Sequence, residues 1–200
     1  MSALLKPLLS ARDYLASERA GEAKHEYVAD QISAMAVANE RHNLVTGNSS
    51  ASPHSQLRRR SCTVYPSDLR VKVNPVELYT YPDISVVCGA PQFEDGKRDT
   101  LLNPTVIVEV LSPSTENYDR GRKFQRYRAL SSLAEYVLIA QDAMHVEHYA
   151  RQPDGRWLLT EADGSEGAIH LASIACDLAL ADVYEKVDFE DEESRMTFDE

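Results

Sequence analysis

The chain of 200 residues has only three cysteines, Cys62, Cys88 and Cys176, odd in number and widely spaced. That argues against a disulfide framework and against a zinc knuckle, and Cys88 and Cys176, set among apolar residues, read as packed thiols. No apolar run approaches the roughly 18 residues of a membrane span. The first ten residues carry Lys6 inside their one apolar stretch, with no small-residue cleavage pattern after it, so no secretory leader is expected and a cytoplasmic location is. Glycine is scarce, at 8 of 200, and no phosphate-cradling glycine loop or dinucleotide fingerprint occurs. Positive charge is in deficit, 21 Lys and Arg against 32 Asp and Glu for a net charge of −11, which at first argues against a nucleic-acid partner.

The distribution of that charge weakens the objection. Residues 188–200 (DFEDEESRMTFDE) hold seven acids and one base, −6 in all, leaving −5 for the remaining 187 residues. Residues 1–187 therefore read as one domain and 188–200 as an acidic, solvated tail. Two basic clusters stand out: Arg58-Arg59-Arg60, and Arg120, Arg122, Lys123, Arg126 and Arg128 against Glu116 and Asp119. Each is either a solvated face or a phosphate contact.

The hydrophobic pattern predicts a mixed α/β (α+β) domain. A short helix is expected over 10–19 with Ser10 as its cap, then a strand–turn–strand over 24–35 and a helix from about Glu40. Strands follow from Ser61, with 79–88 as one strand carrying Pro82 near its start, and Thr105–Leu111 as a central strand covered on both faces. Ser114 or Thr115 caps a helix expected over 118–133. A buried strand over 135–140, a hairpin around Pro153-Asp154-Gly155, and short elements near 169–171 and 178–185 complete the chain.

Glu109 breaks the run TVIVEVL, and Asp83 sits in YPDISVV in a similar way. A carboxylate in a buried strand is costly unless it is paired or bound to a cation. If the two strands are neighbours the acids converge, and paired carboxylates suit a hard divalent ion such as magnesium. Alternatively each acid pairs with an arginine or caps a loop. Lys123 adds weight, because at ~100° per residue it falls within roughly 40° of Tyr127 and 20° of Leu130 on the helix's apolar stripe. It either snorkels along the rim or reaches the acids. Two carboxylates, a metal and a lysine make a unit for hydrolysing a phosphodiester.

YPDISVV, VIVEVLSPST, DRGRKFQRY and AEYVLIAQD together resemble the Uma-type endonuclease family, of unknown function, within the PD-(D/E)XK restriction-endonuclease-like superfamily. The resemblance spans roughly residues 10–187 and implies a mixed β-sheet core flanked by helices, with an additional hairpin. It implies Asp83 and Glu109 as metal ligands for Mg2+ (or Mn2+), and Glu26 of KHEYVADQ as a further catalytic acid. In the plain superfamily motif a lysine lies two residues after the second acid. That position is Leu111 here, so the resemblance implies a migrated lysine, which Lys123 can supply. A second departure, EYV where Glu-Tyr-Trp is frequent, concerns packing.

The expectation is a metal-dependent endonuclease acting on DNA, with Asp83, Glu109, Lys123 and Glu26 catalytic and Arg120, Arg122 and Arg126 touching phosphates. A homodimer would serve double-strand cutting. The alternative is a nuclease-fold binding module without useful turnover. His42, His54, His145 and His148 lack metal-ligand spacing and read as surface histidines. Ser112 has no histidine placed to activate it, and Asp68 reads as a turn residue or arginine partner.

Overall fold

The structure, a computed structural model, describes residues 9–189. The first eight residues and the acidic tail from Glu190 onward lie outside the described residues. Packing continues to Phe189, whose ring centroid lies 5.6 Å from that of Tyr184, two residues past the expected domain end. No helix among the described residues is long and apolar enough to cross a membrane.

Helix α1 (Ala11–Glu18) starts where expected, with the Ser10 side chain accepting from the Asp13 N–H. Strands β1 (His25–Val28) and β2 (Gln31–Ala34) form a hairpin whose two-residue turn, Ala29-Asp30, has positive φ at both positions (45° and 67°), the requirement of a type I′ turn. Helix α2 (Glu40–Leu57) begins at an Asn39 cap that accepts from the His42 N–H. Strands β3 (Cys62–Pro66), β4 (Arg70–Val73), β5 (Leu78–Thr80), β6 (Ile84–Cys88), β7 (Thr100–Leu101) and β8 (Val106–Leu111) follow.

Residues 116–127 make up helix α3, two α-helical segments (Glu116–Tyr118 and Phe124–Tyr127) joined by a π-helical turn, Asp119–Lys123. It ends at Tyr127 rather than at 133, and residues 128–134 form turns leading into β9 (Glu135–Ala140). Arg151 holds those turns, donating to the carbonyls of Arg128, Leu130 and Leu133. The hairpin of β10 (His145–Arg151) and β11 (Trp157–Asp163), the pair β12 (Ala168–Leu171) and β13 (Cys176–Ala179), and helix α4 (Leu180–Val183) close the chain.

Six strands form the main sheet in the order β11-β10-β9-β8-β6-β3, and five form a second sheet, β2-β1-β5-β4-β7. In the main sheet only β8 and β9 run parallel, with α3 between them in sequence. Both strands are buried along their whole length, as a strand covered on both faces should be. Alternation sorts their side chains: Val106, Val108, Val110, Val137 and Ile139 enter the core under α2 and α4, whereas Ile107, Leu111, Tyr136 and Leu138 enter the core shared with α3 and the second sheet. Glu109, between Ile107 and Leu111, therefore points to the α3 side.

The stretch 79–88 is not one strand. It leaves the second sheet after Thr80, turns through Tyr81-Pro82-Asp83, and enters the main sheet at Ile84. Pro82 has no N–H for a sheet ladder, so the break falls there. Asp83 thus sits just ahead of a strand rather than inside one.

The cysteine expectation is corrected. β3 pairs antiparallel with β6 and sets Cys62 opposite Cys88, and the two form a disulfide. Cys176 is buried and free, as expected.

Candidate metal and phosphodiester site

The sheet register assembles the site. β6 pairs antiparallel with β8, Ile84 opposite Val108. One residue further along that register, Asp83 falls opposite Glu109. The Val110 N–H donates to Asp83 Oδ2 at 2.8 Å and ties the acid to β8. On Glu109, Oε1 lies 2.8 Å from the Lys123 ammonium and accepts from the Tyr127 hydroxyl at 2.9 Å. Each carboxylate thus has one oxygen held by protein donors. No donor among the described residues holds Asp83 Oδ1 or Glu109 Oε2.

Lys123 and Glu109 are both buried, with side chains only 7% and 4% exposed. The lysine is not snorkelling along a rim. Its Nζ also lies 3.0 Å from Asp119 Oδ1, one helical turn back and itself buried. The π turn carries both ends of this pair on its inward face; single π-helical turns within α-helices are frequent at functional sites. Burial works against the lysine's charge, but Glu109, Asp119 and Glu26 together hold its pKa above the ordinary value, so it stays protonated. Burial pushes the Glu109 carboxyl up to about 8; Lys123 opposes the shift, and the charges of Asp119 and Asp83 add to it. The Tyr127 hydroxyl is likewise raised, by burial and by Glu109.

Glu26 lies on β1, in the second sheet, and its Oε1 accepts from the Tyr118 hydroxyl on α3. Arg126 Nη1 donates to the same hydroxyl at 2.7 Å. The four residues singled out as catalytic, Asp83, Glu109, Lys123 and Glu26, therefore belong to one electrostatic cluster.

The basic residues fare unevenly. Arg120 donates to Glu147 and Glu116, each at 2.7 Å, and so presents no bare guanidinium. Arg126 is committed to Tyr118. Arg122 is exposed and makes no ion pair among the described residues. In the triple-arginine run, Arg60 caps the carbonyls of Ile174 and Ala175, while Arg58 and Arg59 are exposed. Asp68 pairs with Lys24, not with an arginine.

Three participants were not legible in the sequence. Tyr118 and Asp119 look like ordinary helix residues until the fold brings Glu26 and Lys123 beside them. His42 is not a surface histidine; its Nε2 lies 3.4 Å from Asp83 Oδ2 and its side chain is 16% exposed. Burial works to lower its pKa, but the Asp83 carboxylate, with the Val110 backbone and Asp119, leaves it raised. Nor is His148 a surface histidine; it is buried on β10 with Nε2 3.2 Å from Glu135 Oε1.

A mixed sheet with a parallel β8–β9 pair joined through a helix, an acid at the start of β6 facing an acid on β8, and a lysine delivered from that helix define a restriction-endonuclease-like fold. The chain matches the Uma2 family, described as "Putative restriction endonuclease", over residues 11–181, and it belongs to that family. Two relatives from Synechocystis sp. carry no described activity. The protein sll1609 is 36% identical over 82% of this chain and 93% of its own length, and slr1290 is 34% identical over 92% and 95%. A crystal structure from Anabaena variabilis, described as a "putative nuclease belonging to DUF820", shares the fold with a TM-score of 0.66 and 17% identity, over 82% of this chain and 91% of that one.

Proposed function

We propose that the protein is a metal-dependent endonuclease that hydrolyses DNA phosphodiester bonds, using Mg2+ (or Mn2+) held by Asp83 and Glu109. The observation that carries this reading is that Asp83, one residue ahead of β6, falls opposite Glu109 on β8 when the β6–β8 register is continued, each acid having one oxygen held by protein donors and the other left over.

Fit to a cation follows from the donor set. Three carboxyl groups (Glu109, Asp119 and Glu26) act on one lysine ammonium, Asp83 adds its charge beside Glu109, and Glu109 is pushed up to about 8 by burial and by its acidic neighbours. A cluster short of positive charge and made of oxygen ligands suits a hard divalent ion. Such an ion, when bound, polarises a phosphate and lowers the pKa of an attacking water.

The chain's own groups do the rest. Lys123 is held protonated, so it balances charge developing on the phosphate oxygens rather than accepting a proton. Tyr127 and Lys123 fix one oxygen of Glu109 and thereby the direction of the other. Glu26, held by Tyr118, adds to the field that keeps Lys123 charged. Arg122 is the readiest phosphate contact, because it alone of Arg120, Arg122 and Arg126 makes no competing contact among the described residues. Cutting both strands calls for two such sites, hence a symmetric homodimer.

Nicking of supercoiled plasmid in Mg2+, with an EDTA control, tests the reading. Asp83→Asn and Glu109→Gln are each expected to abolish cleavage while circular dichroism stays unchanged. Cleavage at the wild-type rate by both variants overturns it.

A further inference from the structure

The site as described holds Glu109 from two sides, through Lys123 and Tyr127. Asp83 needs equivalent support, because it stands at a strand end after Pro82, where the backbone ladder has only begun. The Val110 N–H holds Oδ2 at one point, and one hydrogen bond leaves the carboxylate free to rotate about it.

The second support comes from the opposite side of the sheet. Helix α2 packs against the core on the face away from α3, and its N-terminus reaches the Asp83 end of β6. Asn39 caps α2 by accepting from the His42 N–H at 2.9 Å, so the position of His42 is set by the cap. Thr46 Oγ1, one turn along, lies 3.4 Å from Nδ1. The ring's other nitrogen, Nε2, lies 3.4 Å from Asp83 Oδ2, the same oxygen that Val110 holds.

Two of the other histidines differ in kind, whereas His148 and His25 meet the buried carboxylates of Glu135 and Glu18, which hold no contact with Asp83 or Glu109 among the described residues. His145 and His170 pair with Asp163 and Asp177, carboxylates 78% and 74% exposed, and such surface pairs contribute little. The carboxylate that His42 meets is only 17% exposed and belongs to the site.

We propose that His42 is the positioning residue for Asp83: with the Val110 N–H it brackets Oδ2, so that the carboxylate presents Oδ1 to the cation shared with Glu109. This inference rests on the metal-binding reading above. His42 is then not itself a ligand; it acts through Asp83, as outer residues that orient metal-binding side chains commonly do.

The test is Mn2+ binding to the full chain, followed by electron paramagnetic resonance, with thermal melting recorded alongside. His42→Ala is expected to weaken Mn2+ binding roughly 10- to 100-fold, the usual cost of losing such an orienting group. His42→Gln, whose amide nitrogen reaches nearly as far as Nε2, is expected to restore most of the affinity. A purely structural role would lower the melting temperature in both variants and leave the affinity alone. Bound Mn2+ should show no nitrogen coupling from an imidazole. His42→Ala binding as tightly as wild type overturns the proposal, as does a strong imidazole coupling, which would make His42 a direct ligand. Failure of the wild-type protein to bind Mn2+ overturns the metal reading and this inference together, so the two failures are distinguishable.

Discussion

Replacing Glu109 by glutamine, with metal removed by EDTA, isolates what the buried acid costs the fold. The folded-state pKa of Glu109 is raised from 4.5 to about 8, chiefly by burial. An acid raised in this way binds its proton more tightly folded than unfolded. Its contribution is therefore fully present below about 4.5 and is lost as the pH climbs towards 8. At ~1.4 kcal/mol per unit, the wild-type protein should lose on the order of 3–5 kcal/mol across that window through this one group. Glutamine keeps nearly the shape of the protonated acid and does not titrate. Urea unfolding of both proteins at intervals from pH 5 to pH 9 reads the difference as a change in midpoint at constant m. The gap should open in favour of Glu109→Gln as pH rises, then level off above about 8. If instead the Lys123 contact at 2.8 Å dominated, the acid would be depressed in the folded state and the gap would open the other way. Parallel profiles, or a gap favouring wild type at high pH, would refute the reasoning. A gain in stability on losing this acid would mark it as a group kept for chemistry rather than for the fold.

Lys123→Met should destabilise by about 3–5 kcal/mol, because it strands Asp119 and Glu109 in the interior. The loss should be smaller at pH 6 than at pH 9, since Glu109 can hold a proton at the lower pH, and denaturation at the two values checks it. Reduction of the Cys62–Cys88 bridge should cost about 2–4 kcal/mol, with a melting shift on adding dithiothreitol that a Cys62→Ser/Cys88→Ser double variant does not show. Arg122→Ala should lower the slope of log affinity for DNA against log salt by about 1 with unchanged stability. Arg120→Ala should instead destabilise the fold and leave that slope nearly unchanged, because its guanidinium is spent on Glu116 and Glu147. Fluorescence anisotropy on a labelled duplex at several salt concentrations separates the two.

Much of the site was legible because a charged residue inside a run of β-branched neighbours is conspicuous. Glu109 in TVIVEVL and Lys123 on an apolar stripe broke local patterns, and the structure brings them to 2.8 Å. Asp83 was legible as an acid but not as a strand terminus, because a run of strand formers does not reveal that Pro82 hands the chain from one sheet to another. The helical phase that placed Lys123 assumed regular turns; the π turn at Asp119–Lys123 depends on tertiary packing that no single-sequence periodicity carries. The Cys62–Cys88 bridge was hidden because it rests on the register of β3 with β6, a pairing between segments read separately. Charge counting misjudged Arg120 for a related reason, since Glu147 sits 27 positions away on a strand that the fold folds back against α3. His42 was misjudged because solitary histidines carry no pattern; only the meeting of α2 with the start of β6 gives it a partner.

The claim at the centre of this account is that Asp83 and Glu109 share a divalent cation. Titration calorimetry of Mg2+ into the protein, repeated in buffers of different ionisation enthalpy, measures both the binding and the protons it displaces. The account predicts one site in the wild-type protein, with proton release below about pH 8, as the cation takes the place of the proton on Glu109. It also predicts no binding in Asp83→Asn. A wild-type protein that takes up no Mg2+, or an Asp83→Asn variant that binds it unchanged, would contradict the account.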